Sequence, residues 1–213
     1  MEFTFNYHSL SSLIQASVQE GCTISRLVLA QQAAQMEQTE EALYRKMEKT
    51  YRVMAASIEP GCRKNLRSTS GLTGGSAYKM RQVSEAGKSL TGPLLSGALY
   101  RALAVSELNA SMGRIVAAPT AGSCGILPAA VLTMEKDRGC SEKDCIMSLF
   151  TASAVGMIIA NNASLAGAEG GCQAECGSAA AMAAAAITEL AGGTPEMAGH
   201  AVAIALKNIL GLV

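Results

Sequence analysis

The chain has 213 residues, and its 17 lysines and arginines equal its 17 aspartates and glutamates in number. A net charge of zero argues against a chain built to coat nucleic acid or an anionic membrane. Hydrophobic residues make up 49% of the sequence and aromatic residues only 4%, while there are 37 alanines and 21 glycines. This composition excludes a disordered chain and fits poorly with an all-β domain, which needs aromatic and β-branched residues.

Helix start and stop signals recur along the whole chain. In the first half they predict helices over residues 9–20, 23–36 and 39–59, a loop over 61–77 and a helix over 93–112. In the second half they predict a loop over 119–125, helices over 126–136 and 142–160, a turn over 167–171, an alanine-rich helix over 174–190 and a last helix from 194. The predicted N-caps are Ser9 or Ser11, Thr23, Thr39, Ser141 and Thr194. With no run of alternating strands and no internal repeat, the sequence predicts one all-α domain over residues 1–213, compact and rich in alanine and glycine.

Charge is unevenly distributed, because residues 1–150 hold 29 of the 34 charged side chains. The last third is therefore expected in the interior of this domain or of an assembly. The uncharged run Cys145–Ala168 is long enough to raise the question of a membrane span. It contains six Ser, Thr and Asn residues, and its firmly apolar part, Met147–Ala160, is too short to span a bilayer. We therefore expect a buried core helix.

The seven cysteines indicate a reducing environment. The first residues contain neither a basic segment nor a long apolar segment, so we expect no signal peptide. An odd number of cysteines without a secretory signal is typical of free thiols in the cytoplasm. Any one of them can equally be a small buried hydrophobic residue.

The first of three unusual loops is Arg67–Gly75, which combines four hydroxyls with glycines that let backbone amides approach a ligand. Arg63, Lys64 and Arg67 suit a small anion such as a carboxylate. A flexible surface linker is the alternative.

The second loop, Ala118–Pro128, directly precedes a predicted helix, so its amides and the positive end of the helix dipole would face a ligand there. Cys124 would have a lowered pKa at this helix start if it were partly exposed. The alternative is a tight turn with a packed cysteine.

The third segment, Asn161–Gly177, concentrates two Asn, two Glu, a Gln and two Cys in a part of the chain that is otherwise apolar. Such polar groups need each other or a ligand as partners. Cys172 and Cys176 are four residues apart and lie on one face if the segment is helical. Two thiolates make only part of a metal site, since an iron–sulfur cluster needs at least three protein ligands.

Three segments resemble a known family: residues 113–129 (GRIVAAPTAGSCGILPA), 162–175 (NASLAGAEGGCQAE) and 70–75 (SGLTGG). They are similar to the iron–sulfur-dependent L-serine dehydratases, and more narrowly to the separate α subunit of the two-subunit bacterial form. The resemblance extends over essentially the whole chain, including the closing stretch 206–213 (LKNILGLV).

The resemblance implies a cytoplasmic lyase of amino-acid degradation and gluconeogenesis that converts L-serine to pyruvate and ammonia. It implies a [4Fe–4S] cluster, no pyridoxal phosphate, a β subunit as partner, and a homo- or hetero-oligomer that binds neither nucleic acid nor membrane. One iron of the cluster, left open by three cysteine ligands, would act as a Lewis acid on the substrate hydroxyl. Cys172 matches the first of these ligands, and in the family the other two follow the stretch that ends at Val213. We therefore expect a truncated α subunit that alone holds no intact cluster and is inactive.

Individual site residues follow from the same resemblance. The loop residues that would bind the serine carboxylate are Ser68, Ser70, Thr73, Gly74, Thr120, Gly122 and Ser123. Further polar candidates are Asn161, Asn162 and Glu169. No catalytic base is evident: His8 and His200 match no family motif and are interpreted as structural, and the base is expected on the β subunit.

Two alternative functions remain open. The chain could be a non-catalytic helical assembly or regulatory fragment, which iron content and dark colour would distinguish from a cluster-bearing enzyme. A pyridoxal-phosphate deaminase would need an α/β fold and a Schiff-base lysine, and the helical pattern argues against both. We also expect the loops 68–75, 119–125 and 161–172 to meet in one pocket.

Overall fold

A computed structural model describes residues 7–211 of the chain, and within that range it contains helices and no strand. The helices are α1 (Leu10–Gln19), α2 (Ile24–Gln35), α3 (Glu40–Ala56), α4 (Ile58–Gly61), α5 (Ser76–Glu85), α6 (Gly92–Ala110), α7 (Ile126–Arg138), α8 (Glu142–Asn162), α9 (Gly167–Leu190) and α10 (Pro195–Asn208). The prediction of an all-α fold is confirmed.

Five helices begin where the sequence predicts, because each has a side-chain cap. In each case a side-chain oxygen accepts a hydrogen bond from the amide three residues ahead, at 3.1–3.3 Å. The capping residues are Ser9, Thr23, Thr39, Ser141 and Thr194. These bonds satisfy amides that have no partner within the helix.

Helix α5 lies partly where a loop was predicted and was not predicted as a helix. Its N-cap, Gly75, has a φ of 87° and no capping side chain. The carboxylate of Glu107 on α6 takes that role, accepting from the amides of Gly75 at 2.8 Å and Ser76 at 2.7 Å. The cap comes from 31 residues away, so no local sequence signal indicates it.

The centre of the fold is the alanine-rich part of α9, as predicted. The helix packs against α7, α8 and α10. Its buried alanines are Ala179, Ala181, Ala183, Ala185 and Ala186. Small side chains let the neighbouring backbones approach closely, so this core gains little from each side chain and depends on tight packing.

Helix α8 is the one helix in the described range with the length and apolar composition of a membrane span. A buried helix of a globular core has the same properties, and 61% of the most apolar window of α8 is buried within the fold. The helix packs against α2, α3, α7 and α9. These contacts agree with the expected core helix.

An ion pair between the buried Arg101 and the partly exposed Asp137 joins the middle of α6 to the carboxyl end of α7. Arg101 Nη1 lies 2.6 Å from Asp137 Oδ2 and 2.9 Å from Thr133 Oγ1. The guanidinium also lies over the ring of Tyr100, 5.0 Å from its centroid. Because Arg101 is buried, its charge depends on these partners.

Candidate functional site

The loop between α6 and α7 is connected to α9 through a hydroxyl and a carboxylate. Thr120 Oγ1 donates a hydrogen bond to the carboxylate of Glu175, and it lies 3.2 Å from Ser123 Oγ. Ser123 is buried and Thr120 is half-buried. Two of the three segments singled out in the sequence therefore meet here, although these residues are 55 positions apart.

Two glycines make room for the Glu175 carboxylate. A Cβ placed on Gly122 or on Gly167 would overlap its oxygens. Neither glycine has a positive φ, so the reason for glycine at both positions is this close approach. The sequence does not distinguish Glu175 from the other polar groups of its segment, so Glu175 is not among the predicted site residues.

The loop Arg67–Gly75 is fixed by its own hydrogen bonds. The Ser68 amide donates to the carbonyl of Thr73 at 2.9 Å, and the Thr73 amide donates back to Ser68 Oγ at 3.2 Å. Arg67 Nη1 donates to the carbonyl of Gly74 at 3.0 Å. Arg67 is therefore engaged in holding the loop, and the flexible-linker alternative does not describe it.

The carboxyl end of α6 holds two of the loops. The amide of Thr69 donates to the carbonyl of Ala110 at 2.9 Å, which anchors the loop Arg67–Gly75. Asn109 Nδ2 donates to the carbonyl of Ala121 at 3.0 Å, which anchors the loop before α7. Adjacent residues of one helix thus bring both loops to the same end of the fold, and the bond between Thr120 and Glu175 adds α9.

The other predicted site residues of the loop Arg67–Gly75 are Ser70, Thr73 and Gly74, which differ in exposure and in role. Ser70 is exposed, and its Oγ lies 3.1 Å from Ser68 Oγ. Gly74 has a φ of 131°, and a Cβ there would overlap the carbonyl of Leu66. Gly74 therefore serves the turn itself, while Ser70 and the exposed Thr73 border solvent.

The polar candidates of the third segment make local contacts. Asn162 Nδ2 donates to the carbonyls of His8 at 2.9 Å and Ile158 at 2.8 Å. The carboxylate of Glu169 accepts from Ser164 Oγ. Asn161 is exposed at the end of α8. Asn162 and Glu169 are thus engaged in shaping this segment.

The glycine-rich turn is helical, which differs from the predicted turn over residues 167–171. Helix α9 begins at Gly167, and Gly171, with φ 73° and ψ −179°, interrupts it. The positive φ favours glycine at this position. One helical turn, carrying Gly167 against Glu175, is therefore separated from the main helix that begins with Cys172.

Cys172 and Cys176 form a thiol pair directly after this interruption. Their sulfur atoms are 3.5 Å apart, with Cys172 exposed and Cys176 half-buried. Burial, followed by the hydrogen bond between the two thiols, raises the pKa of Cys176 to about 11. The two thiols lie on one face, as their spacing predicts.

Cys124 is a packed cysteine, as in the alternative stated above, so the partial exposure that a lowered pKa would require is not present. Only 1% of the residue is exposed, and its sulfur lies 4.0 Å from the carbonyl oxygen of Val105. Burial raises the pKa of this thiol because the thiolate would lose its hydration. The position before α7 therefore does not make Cys124 a reactive group.

Differences in burial predict the order in which the cysteines are alkylated. At pH 8 iodoacetamide should modify Cys172 first, because alkylation requires an accessible thiolate. Cys176 should react slowly, since a pKa of about 11 leaves only about one thiolate in a thousand at pH 8, and its rate should rise as the pH approaches that pKa. Peptide mass spectrometry over a time course measures this order, with guanidinium-unfolded protein as control. Equal rates for Cys172 and Cys124 in the folded chain would contradict the structure.

An apolar cavity of about 400 Å³ lies next to the loop before α7. Its walls come from α3, α7, α8, α9 and that loop, and they include Met54, Leu149, Met157, Met182 and Pro119. Such a lining does not suit an amino-acid zwitterion, whose charged groups need polar partners. The hydrogen-bonded network around Glu175 is therefore the better candidate for polar chemistry.

The helical fold and this network define an all-α protein whose candidate site combines glycines and hydroxyls around one carboxylate, with a pair of thiols on the same helix as that carboxylate. Residues 19–213 match the family described as serine dehydratase alpha chain. The chain therefore belongs to the serine dehydratase alpha chain family.

Individual relatives agree over most of the chain. A probable L-serine dehydratase, alpha chain, of Bacillus subtilis is 44% identical over 97% of this chain and 69% of its own length. The L-serine dehydratase, alpha chain, of Peptoniphilus asaccharolyticus is 40% identical over 94% of this chain and 69% of its own length. An L-serine dehydratase of Streptomyces coelicolor is 33% identical over 98% of this chain, which corresponds to 46% of that protein.

Proposed function

We propose that this chain acts as the α subunit of an L-serine dehydratase, converting L-serine to pyruvate and ammonia together with a β subunit. The observation that carries the proposal is the hydrogen bond between Thr120 and Glu175. It joins the two long segments in which the family resemblance is concentrated, in a chain that matches the family over residues 19–213. Relatives named as alpha chains support a partner subunit.

The reaction is an elimination of water. Removal of the α-proton and departure of the β-hydroxyl as water convert serine to aminoacrylate. Aminoacrylate tautomerises to the imine, and water hydrolyses the imine to pyruvate and ammonia. The site must therefore bind the serine carboxylate, hold the Cα–H bond towards a base and assist departure of the hydroxyl.

Binding of the carboxylate is assigned to the loop before α7. Ala121 and Gly122 are exposed at this turn, and the positive end of the α7 dipole favours an anion there. The loop Arg67–Gly75, which is anchored at the same end of α6, offers the exposed hydroxyls of Ser70 and Thr73. Both histidines are exposed, and His8 contacts the fold through its carbonyl, so we assign the base to the β subunit.

Iron–sulfur dependence is part of the proposal, with Cys172 as the candidate thiolate ligand. The described residues contain no group of three or more His, Cys, Asp or Glu side chains that could hold a metal ion. Cys172 and Cys176 supply two thiols where a cluster needs at least three protein ligands. The described residues thus do not fit a [4Fe–4S] cluster on their own.

We also propose a cytoplasmic hetero-oligomer without pyridoxal phosphate. Free thiols at all seven cysteines support a reducing compartment.

The test is to produce the α subunit anaerobically with and without its β subunit and to measure pyruvate from L-serine, iron content and subunit association. We expect pyruvate and bound iron from an assembled enzyme whose α subunit has the length of the related alpha chains, of which this chain covers 69%, and neither from the 213-residue chain alone. D-serine serves as the substrate control, and Cys172→Ser and Cys176→Ser as a pair of thiol variants. Loss of iron in Cys172→Ser but not in Cys176→Ser supports the ligand assignment. An assembled, iron-loaded enzyme that forms no pyruvate would contradict the proposed function.

A further inference from the structure

We infer that Glu175 is a positioning residue whose carboxylate holds the loop before α7 in the conformation that binds substrate. The inference rests on the proposed function, because the loop it holds is the one assigned to the serine carboxylate.

The geometry around Glu175 favours a role in positioning the loop over a role in proton transfer. Oε2 faces Thr120 and the backbone at Gly122, and Oε1 faces the backbone at Gly167. Oε2 is thus engaged by a hydrogen bond from the loop, and Oε1 packs against the backbone of the first turn of α9. A general base would instead need an oxygen within hydrogen-bond reach of a substrate proton.

The cost of this arrangement also indicates a specific role. Glu175 is half-buried, and none of the ion pairs within the described range includes it. Partial burial of a carboxylate costs free energy unless hydrogen bonds replace its hydration. The hydroxyl of Thr120 provides one such bond, and its loss would loosen the loop, which Asn109 would still anchor at Ala121.

A second carboxylate at the far end of α9 provides a matched control. Glu189 Oε2 accepts from Thr151 Oγ1 at 2.7 Å and from the Ser25 amide at 3.3 Å. This pair joins α9 to α8 and α2 in the same way that Glu175 joins α9 to the loop. It lies outside the three site segments, so its removal shows what loss of a comparable hydrogen bond does away from the candidate site.

The kinetic test uses the α subunit assembled with its β subunit and compares Thr120→Val, Thr120→Ser, Glu175→Asp and Glu175→Gln with Thr151→Val. Thr120→Val and Glu175→Asp should lower kcat about 100-fold with KM within about threefold, because a loop displaced by about 1 Å still binds serine but misorients it. Thr120→Ser keeps the hydroxyl, and Glu175→Gln keeps the length and an accepting oxygen, so both should stay within about tenfold of wild type. Thr151→Val should lower the melting temperature and leave kcat within about twofold.

Hydrogen–deuterium exchange supplies a readout that needs no activity. In Thr120→Val, exchange should rise in residues 119–125 and 164–170 and stay unchanged in α6 and α7, whereas Thr151→Val should leave both segments unchanged. If the wild-type enzyme forms no pyruvate, the proposed function fails, and exchange alone then decides the positioning role. An exchange rate in Thr120→Val equal to that of the wild type overturns the inference. A complete loss of activity in Glu175→Gln together with a wild-type kcat in Thr120→Val also overturns it, because that result would identify Glu175 as a base.

Discussion

Replacing Asp137 with alanine is expected to lower the free energy of unfolding by about 2–4 kcal/mol. The variant leaves the guanidinium of Arg101 buried without its carboxylate, and Thr133 and Tyr100 cannot neutralise the charge. The expected effect is below that of a fully buried pair, because about one third of the Asp137 side chain is exposed.

Urea unfolding followed by circular dichroism measures this change, and the melting temperature should fall by about 5–10 °C for a chain of this size. Arg45→Ala is the control, because Arg45 and Glu41 form an ion pair in which both side chains are about two-thirds exposed. Its effect should stay under about 0.5 kcal/mol. An equal effect of the two substitutions would mean that the pair between α6 and α7 is no more important than a surface pair.

Replacing Gly122 with alanine is expected to lower kcat/KM of the assembled enzyme about 100-fold while the melting temperature falls by only about 2–4 °C. The new Cβ would overlap the carboxylate of Glu175, and a flexible side chain can move away at small cost in stability. That movement breaks the bond to Thr120 and frees the loop. The expected result is therefore a folded and largely inactive protein.

Pyruvate formation and thermal unfolding of the same preparations test whether activity falls much more than stability. Gly211→Ala is a matched control, since a Cβ there meets nothing within 4 Å and the φ of Gly211 is not positive. It should change neither quantity. Wild-type kcat/KM in Gly122→Ala would mean that the close approach to Glu175 has no part in the reaction.

Local sequence signals explain why most of the helices could be predicted. The lack of such a signal explains why α5 could not. Caps such as Thr39 and Ser141 act on amides three residues away, so the sequence contains both partners within one turn. Helix α5 has its cap in Glu107, a residue on another helix. A cap of that kind exists only after the chain has folded, which is why this helix was not predicted.

The candidate site also has parts that short stretches of sequence indicate and parts that depend on how the helices pack. Glycines and hydroxyls concentrated in short stretches identified the loops 68–75 and 119–125, and their anchoring on one end of α6 brings them together. The bond between Thr120 and Glu175 depends on how α7 and α9 pack, so Glu175 could not be distinguished from the other polar residues nearby. The assignment of Cys172 to a metal stays a prediction.

The alanine core restricts the paths by which this sequence can diverge. At Ala181 and Ala185, which have no exposed surface, a larger side chain would push neighbouring helices apart, whereas glycine would only loosen the helix. Most cores tolerate exchanges among Leu, Ile and Met because volume is roughly conserved, and alanine has no hydrophobic substitute of its own size. Over evolutionary time substitutions should therefore accumulate on the outer helices, while the central part of α9 remains a nearly fixed tract of small residues.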